Sequence, residues 1–184
     1  MKKFNYLGFD LDGTISDSMK LGAEHMRVYF GKDPIAGGTY EEMFGVSKEE
    51  MKEFMNLYAS IVWKECLPIP GAVRVIRELW KVFDISIITN RPQKDFSITR
   101  DWLRKWKVPY TDLHLIGPGN KKCDFPPIQK CFCFVEDEIE KAKGIADKKI
   151  PTFVFNSDIK YNNIINVKNW EEIGEYILLR RFDK

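Results

Sequence analysis

Short apolar runs alternate with stretches of helical periodicity along most of this chain. Tyr6–Phe9, Phe83–Ile88, Leu113–Ile116, Phe132–Val135, Thr152–Phe155 and Ile164–Val167 have the length and the aromatic or β-branched content of buried strands. Between them, Val73, Ile76, Leu79 and Trp80 recur at helical spacing within Ala72–Lys81. Phe96, Trp102, Leu103 and Trp106 give one apolar face to a helix predicted from Asp95 to Lys107, and Glu138–Ala146 reads as a shorter one. Asn169-x-x-Glu172 is a capping-box-like start for a final helix. Strands alternating with helices predict an α/β architecture, a Rossmann-like parallel sheet with helices on both faces.

Ser18 to Leu67 departs from that rhythm. It holds no convincing strand, only helical material around a Gly37-Gly38 centre. Ser47-x-x-Glu50 opens a long helix there, whose Met51, Phe54, Met55, Tyr58, Ile61 and Val62 read as a packing stripe. Leu67–Ala72 then returns the chain to the α/β region through two prolines. The expected organisation is a core of residues 1–17 and 68–184, with residues 18–67 forming a small helical insert after the first strand.

Composition narrows the classes without changing this picture. At 184 residues, 44% hydrophobic and 14% aromatic, the chain can fill one core, and disorder is expected only after Leu179. A net charge of +2, with lysines and arginines spread throughout, gives no argument for a nucleic-acid polymer. There is no apolar run of about 18 residues to cross a membrane. The Met1-Lys2-Lys3 start does not resemble a signal peptide, so a cytoplasmic protein is expected. The four cysteines form no C-x-x-C pair and have no neighbouring histidines to complete a zinc site, so reduced thiols are expected. Cys131 and Cys133 alternate with Phe132 and Phe134, as thiols lining a strand would, and the isolated His25 and His114 read as structural or surface residues.

The chemistry lies in the residues just past each apolar run, because ligands of open α/β sheets bind beyond the carboxyl ends of the strands. The first run is followed by Asp10 and Asp12 with Gly13-Thr14, and the second by Thr89-Asn90-Arg91. Gly117-Pro118-Gly119-Asn120 and Lys121-Lys122 come after the third, and Glu136-Asp137 after the fourth. Singly, each reads as a turn, a cap or solvated charge. Together they form one set. Asp10, Asp12 and an acid of Glu136-Asp137 offer hard oxygen ligands, which suit Mg²⁺. Lys122, Thr89 and backbone amides near Gly13 offer the positive charge and donors that a dianionic phosphate requires. Asp10 can serve as a nucleophile that forms an aspartyl-phosphate. Asp12 points to the same side of an extended segment, where it can protonate the leaving oxygen and later deprotonate the attacking water.

In order, FDLDGT, IITN, the Lys121-Lys122 region and FVED resemble the four motifs of the haloacid dehalogenase-like superfamily of phosphohydrolases, and the resemblance covers the whole chain. It implies Asp10 as nucleophile and Asp12 as general acid/base. It also implies Thr89, with Asn90 beside it, and a lysine, Lys122 in preference to Lys121, as phosphate ligands. Mg²⁺ would be held by Asp10, the Asp12 backbone carbonyl and Asp137, with Glu136 supporting. The helical insert resembles the superfamily's small α-helical cap. Within the superfamily the layout looks most like the cytosolic 5′(3′)-deoxyribonucleotidase branch and its bacterial nucleotidase relatives. The features are the helical insert, the adjacent acid pair, PTFVFN and the closing VKNWEEI. Two features depart from that branch: Thr89-Asn90-Arg91 in the second motif, and Glu-Asp where Asp-Asp is usual.

The expected activity is Mg²⁺-dependent hydrolysis of phosphomonoesters through an aspartyl-phosphate, as a 5′-nucleotidase acting on (deoxy)nucleoside monophosphates. The cap would exclude bulk water, and Phe44, Tyr58 or Trp63 could stack on a base if not used in the core. Another small ester, of sugar phosphate or phosphoglycolate type, is the alternative within the same chemistry. A phosphoacceptor signalling module is the alternative of another class. It places its accepting Asp after the third strand, where this chain has Gly117-Pro118-Gly119, and it gives Asp12 no role. A dehalogenase would have no use for Asp12 and the acid pair. A non-catalytic binding protein would have no need of the intact aspartate pair.

Overall fold

The structure, a computed structural model, describes residues 6–36 and 39–179. The Met1-Lys2-Lys3 start, the Gly37-Gly38 centre and the residues after Leu179 lie outside the described residues. Six strands, β1 (Tyr6–Phe9), β2 (Asp84–Thr89), β3 (Asp112–Leu115), β4 (Cys131–Val135), β5 (Thr152–Phe155) and β6 (Ile164–Val167), form one sheet in the order β3-β2-β1-β4-β5-β6. Every pairing is parallel, so all the carboxyl ends share one edge. Successive connections run outward from β1 on one side and from β4 on the other, which makes the gap between β1 and β4 the topological switch point. The strands predicted from the apolar runs all form, with ends displaced by no more than a residue.

Three helices cover one face: α4 (Ala72–Trp80), α5 (Phe96–Lys105) and α7 (Trp170–Leu178). Their Ile76, Leu79, Leu103, Trp170 and Ile173 pack with Leu7 and Phe9 of β1, Ile85 and Ile87 of β2, and Cys133 and Val135 of β4. The helix predicted from Asp95 to Lys107 forms as the single α5, one residue shorter at its start and two at its end, and a tight 3-10 turn at Gln93–Asp95 leads into it. Asn169 caps α7 as expected by accepting from the Glu172 N–H at 3.0 Å, while Glu172 reaches back to the N–H of Lys168 at 2.9 Å. The opposite face is covered by α6 (Ile139–Ala146) and the turn Pro126–Lys130, through Ile145, Ile128 and Phe134.

Gly8 faces this second layer, and a Cβ there would stand 2.3 Å from a ring carbon of Phe134. The ring fills the space that the missing side chain leaves. Cys131 and Cys133 do not line one face as their alternation predicts: Cys131 packs with Phe134 and Cys133 with Phe9. The register between β1 and β4 shifts between Tyr6 and Leu7, which face Cys131 and Cys133, so a bulge turns Cys131 to the other side. All four cysteines are free thiols. His25 lies against Tyr58 and His114 against Phe125. No helix among the described residues is long and apolar enough to cross a membrane.

Between β1 and α4 the chain is helical, as its pattern predicts: α1 (Ser18–Phe30), α2 (Tyr40–Phe44) and α3 (Lys48–Glu65). Ser47 and Glu50 close the expected capping box on α3, and Thr39 and Glu42 form a second one on α2. Met26, Phe44, Met51 and Phe54 make a small core shared by the three helices. The buried stripe of α3 is Met51, Phe54, Ala59, Val62 and Trp63, whereas Met55 and Ile61, predicted in the stripe, are exposed. The stripe drifts because α3 shares the small core with α1 and α2 over its first turns, then turns Ala59, Val62 and Trp63 into the seam between Leu21 of α1 and Ile98 of α5.

Candidate active site

The site is built from the loop after β1 outward. The N–H of Asp10 donates to Val135 O at 3.0 Å, extending the β1–β4 pairing by one residue and setting Asp10 beside Glu136. The chain then turns tightly: Gly13 N–H reaches Ser16 O at 2.9 Å, and Ile15 N–H and Ser16 N–H both reach Leu11 O. Gly13 takes φ +76°, and a Cβ on it would stand 2.0 Å from Asp137 Oδ2, so the turn and the closeness of Asp137 both require glycine. From behind, the buried Trp170 of α7 donates its indole N–H to Thr14 O at 3.0 Å and fixes the turn to the core.

Asp10, Glu136 and Asp137 each place a carboxylate oxygen within 4.8 Å of the others. Lys122 is buried among them, with its Nζ 2.7 Å from Asp10 Oδ1 and 2.7 Å from Glu136 Oε2. Lys121, one residue earlier, is exposed. Burial alone would make Lys122 lose its proton more readily, but Asp10 and Glu136 outweigh it and raise its pKa. Burial and the charge of Asp10 push Glu136 well above the ordinary carboxylate range against the pull of Lys122. The same two causes push Asp137 up to about 7. Three carboxylates facing one ammonium make an all-oxygen set with an excess of negative charge. That donor set fits a hard divalent cation.

Asp12 goes elsewhere. Its Oδ2 accepts from Arg91 Nε at 2.8 Å and its Oδ1 from Arg91 Nη2 at 2.7 Å, a forked pair, and Ser16 Oγ donates to Oδ1 at 3.1 Å. Burial works to raise the Asp12 pKa, but the Arg91 charge and the hydrogen bonds of Arg91, Ser18 and Ser16 prevail and hold it below the usual range. With its side chain committed to Arg91, what Asp12 can offer a cation beside Asp10 is its backbone carbonyl.

Thr89 is buried at the end of β2, and its Oγ1 accepts from the Arg91 N–H at 3.3 Å, leaving the hydroxyl proton to donate. Asn90 spends its Nδ2 donors on Gly117 O (3.0 Å) and Asn120 O (2.7 Å), tying the loop after β2 to the loop after β3. Any donor that Asn90 gives an anion is therefore its backbone N–H.

Above these groups a cavity of about 630 Å³ opens between the strand ends and the helices α1 and α3. Asp10, Asp12, Thr89, Arg91 and Asp137 form its polar floor, while Met19, Met26, Met55 and Trp63 give it apolar walls. Phe44 and Tyr58, considered from the sequence as base-stacking residues, are not in its lining. Phe44 is buried in the small helical core, and Tyr58 packs against that core. Trp63 does line the cavity, with Arg91 Cζ 4.9 Å from its ring centre. Two contributors carry no motif signal: Tyr40, whose phenol is pushed up by burial and then by Asp12 and Asp137, and the Arg91 pair itself. For Arg91 the sequence shows a departure from the expected second motif, with no partner adjacent in the chain to explain it.

No family model matches the chain. It is 26% identical over 179 residues to the "Putative nucleotidase YqfW" of Bacillus subtilis, covering 93% of this chain and 92% of that one. It is 29% identical over 184 residues to a "Putative nucleotidase" of Bacillus cereus, covering 92% and 96%. The 5′(3′)-deoxyribonucleotidase of Bacillus subtilis is 24% identical over 155 residues, covering 76% and 86%. Among solved structures, a haloacid dehalogenase-like family hydrolase from Streptococcus pneumoniae superposes with TM-score 0.69 at 18% identity, covering 94% of this chain and 98% of that one. The HAD-hydrolase YfnB of Bacillus subtilis, bound to magnesium, superposes with TM-score 0.66 at 19% identity, covering 97% and 100%. A phosphoric monoester hydrolase fits both sets of relatives. The chain has the haloacid dehalogenase-like hydrolase fold, and its sequence likeness runs to the nucleotidase branch of that superfamily.

Proposed function

We propose that the protein is a Mg²⁺-dependent phosphomonoesterase working through an aspartyl-phosphate on Asp10, with nucleoside monophosphates as its substrates. The observation that carries the reading is the placement of Asp10. It lies at the switch point of the sheet, within 4.8 Å of Glu136 and Asp137 by carboxylate oxygens and 2.7 Å from Lys122. Asp10, Asp137 and the Asp12 carbonyl would hold the cation, with Glu136 behind them holding Lys122. When bound, Mg²⁺ supplies positive charge that neutralises the carboxylates and the phosphoryl oxygens.

The chain's own residues divide the remaining work. Lys122, the Thr89 hydroxyl and the backbone N–H groups of the Gly13 turn and of Asn90 bind the phosphoryl oxygens. Lys122 also holds the Asp10 carboxylate, which attacks phosphorus in line with the leaving oxygen. Asp12 is the acid/base: the carboxylate that Arg91 holds takes the proton of the attacking water, and the smaller protonated fraction that the Arg91 fork leaves supplies the proton of the leaving oxygen. The helices α1–α3, residues 18–67, act as the cap that excludes bulk water, and the apolar walls of the cavity receive the nucleoside. The nucleotide assignment rests on the named relatives and on this amphipathic cavity.

The test is inorganic phosphate release from a panel of nucleoside monophosphates, sugar phosphates and phosphoglycolate, with Mg²⁺ and with excess chelator. Nucleotide hydrolysis lost on chelation is expected; no release from any ester overturns the reading, and a preference for phosphoglycolate or sugar phosphates overturns its substrate.

The two adjacent lysines give a sharper check. Lys122→Met is expected to lower kcat/KM by on the order of 10²–10³-fold, as loss of a buried charge on the reacting groups does elsewhere. Lys121→Met should stay near wild type, because its ammonium is exposed. Equal losses in the two variants would contradict this division.

A further inference from the structure

The Arg91 side chain is fully buried, although taking a guanidinium out of water is costly unless its partners compensate. Each of its three side-chain nitrogens has a partner. Nε and Nη2 fork onto both oxygens of Asp12, at 2.8 and 2.7 Å. Nη1 donates to Thr99 Oγ1 at 3.3 Å, and that hydroxyl is itself turned by donating to Asp95 O at 2.9 Å in the first turn of α5. Its backbone N–H is held by Thr89 Oγ1. One face of the guanidinium lies 4.9 Å from the ring centre of Trp63 on α3. Arg91 is thus gripped by the core below and touched by the helical insert above, and the one carboxylate it holds among the described residues is Asp12.

We propose that Arg91 is a positioning residue for Asp12 in the second half of the reaction, and that Trp63 makes its hold depend on the seat of α3 over the strand ends. The inference rests on the proposed phosphomonoesterase reading. In the first half, Asp10 displaces the alcohol, whose oxygen takes the proton of the smaller protonated fraction of Asp12, and Asp12 leaves that step as the carboxylate that Arg91 favours. The Arg91 fork, with Ser16 Oγ from the other side, fixes both oxygens of that carboxylate. In the second half, the oxygen of a water forms a bond to phosphorus while the bond from phosphorus to Asp10 breaks. Its electron pair returns to the Asp10 carboxylate, and the water proton passes to Asp12. A water is activated only where the base stands within hydrogen-bond reach, so loss of the fork should slow this half more than the first.

The measurement is rapid-mixing hydrolysis of p-nitrophenyl phosphate in Mg²⁺, whose leaving group departs without an acid, together with acid-quenched phosphoenzyme measured by mass. Arg91→Met is expected to show a near-stoichiometric burst of p-nitrophenolate, then a steady rate lower by on the order of 10²-fold, with KM falling in parallel and phosphoenzyme accumulating. Arg91→Lys, which keeps the charge but not the fork, should recover part of the steady rate. Trp63→Leu should shift the same quantities in the same direction by less. An active wild type whose Arg91 variants lose rate without a burst or phosphoenzyme, or lose none, overturns the assignment alone. A wild type that hydrolyses no ester overturns the phosphomonoesterase reading and this assignment with it.

Discussion

Asp10→Asn is expected to stop phosphate release from every monoester that the wild type hydrolyses, a loss on the order of 10⁴-fold or more, as nucleophile removal gives in other covalent catalysts. The substitution is nearly isosteric. An amide oxygen can still accept from Lys122 Nζ, which keeps its second carboxylate partner in Glu136 at 2.7 Å. It also removes one of the charges that push Glu136 and Asp137 upward, so the buried cluster loses repulsion along with attraction. The variant should therefore melt close to the wild type while forming no phosphoenzyme. Phosphate release and acid-quenched mass measure the first expectation, and a thermal melt the second. A folded Asp10→Asn protein with more than a hundredth of wild-type turnover would remove Asp10 from the nucleophile's role.

Much of this arrangement is legible in the chain because the sheet is parallel. Once the apolar runs are read as strands, their carboxyl ends must share one edge, and Asp10, Thr89, Lys122 and Glu136-Asp137 come after those runs. Lys122 and Lys121 could be told apart in space because the turn Lys122–Asp124 buries the first and leaves the second exposed.

The features that were not legible depend on long-range packing. The turning of α3 that buries Trp63 and exposes Met55 comes from its crossing from α1 to α5, which no local periodicity records. The opposed faces of Cys131 and Cys133 come from a bulge set by the neighbouring strand. Arg91 is the most consequential case. Its partner Asp12 is 79 positions away, so the sequence displays the arginine as an anomaly of the second motif and the structure displays it as the fully buried half of an ion pair at the cavity floor.

That pair makes Asp12 the other position of large expected effect, on activity and stability at once. Asp12→Ala should slow turnover by about 10²–10⁴-fold through loss of the acid/base group. It should also destabilise the fold by about 3–5 kcal/mol, because the Arg91 guanidinium remains buried with its charge uncompensated. Thr99 Oγ1 and the Trp63 ring stay in contact with it, but neither carries a negative charge. Asp12→Asn should cost less stability, since an amide oxygen still accepts from the fork, while its loss of turnover should approach that of the alanine variant. The double variant Asp12→Ala with Arg91→Met separates the two effects. Removing the stranded cation should restore much of the stability lost in Asp12→Ala and none of the activity, a coupling that urea unfolding of the set would read directly. If Asp12→Ala unfolds at the wild-type urea concentration, Arg91 is reaching solvent or another anion, and the forked pair does not hold this corner of the site together.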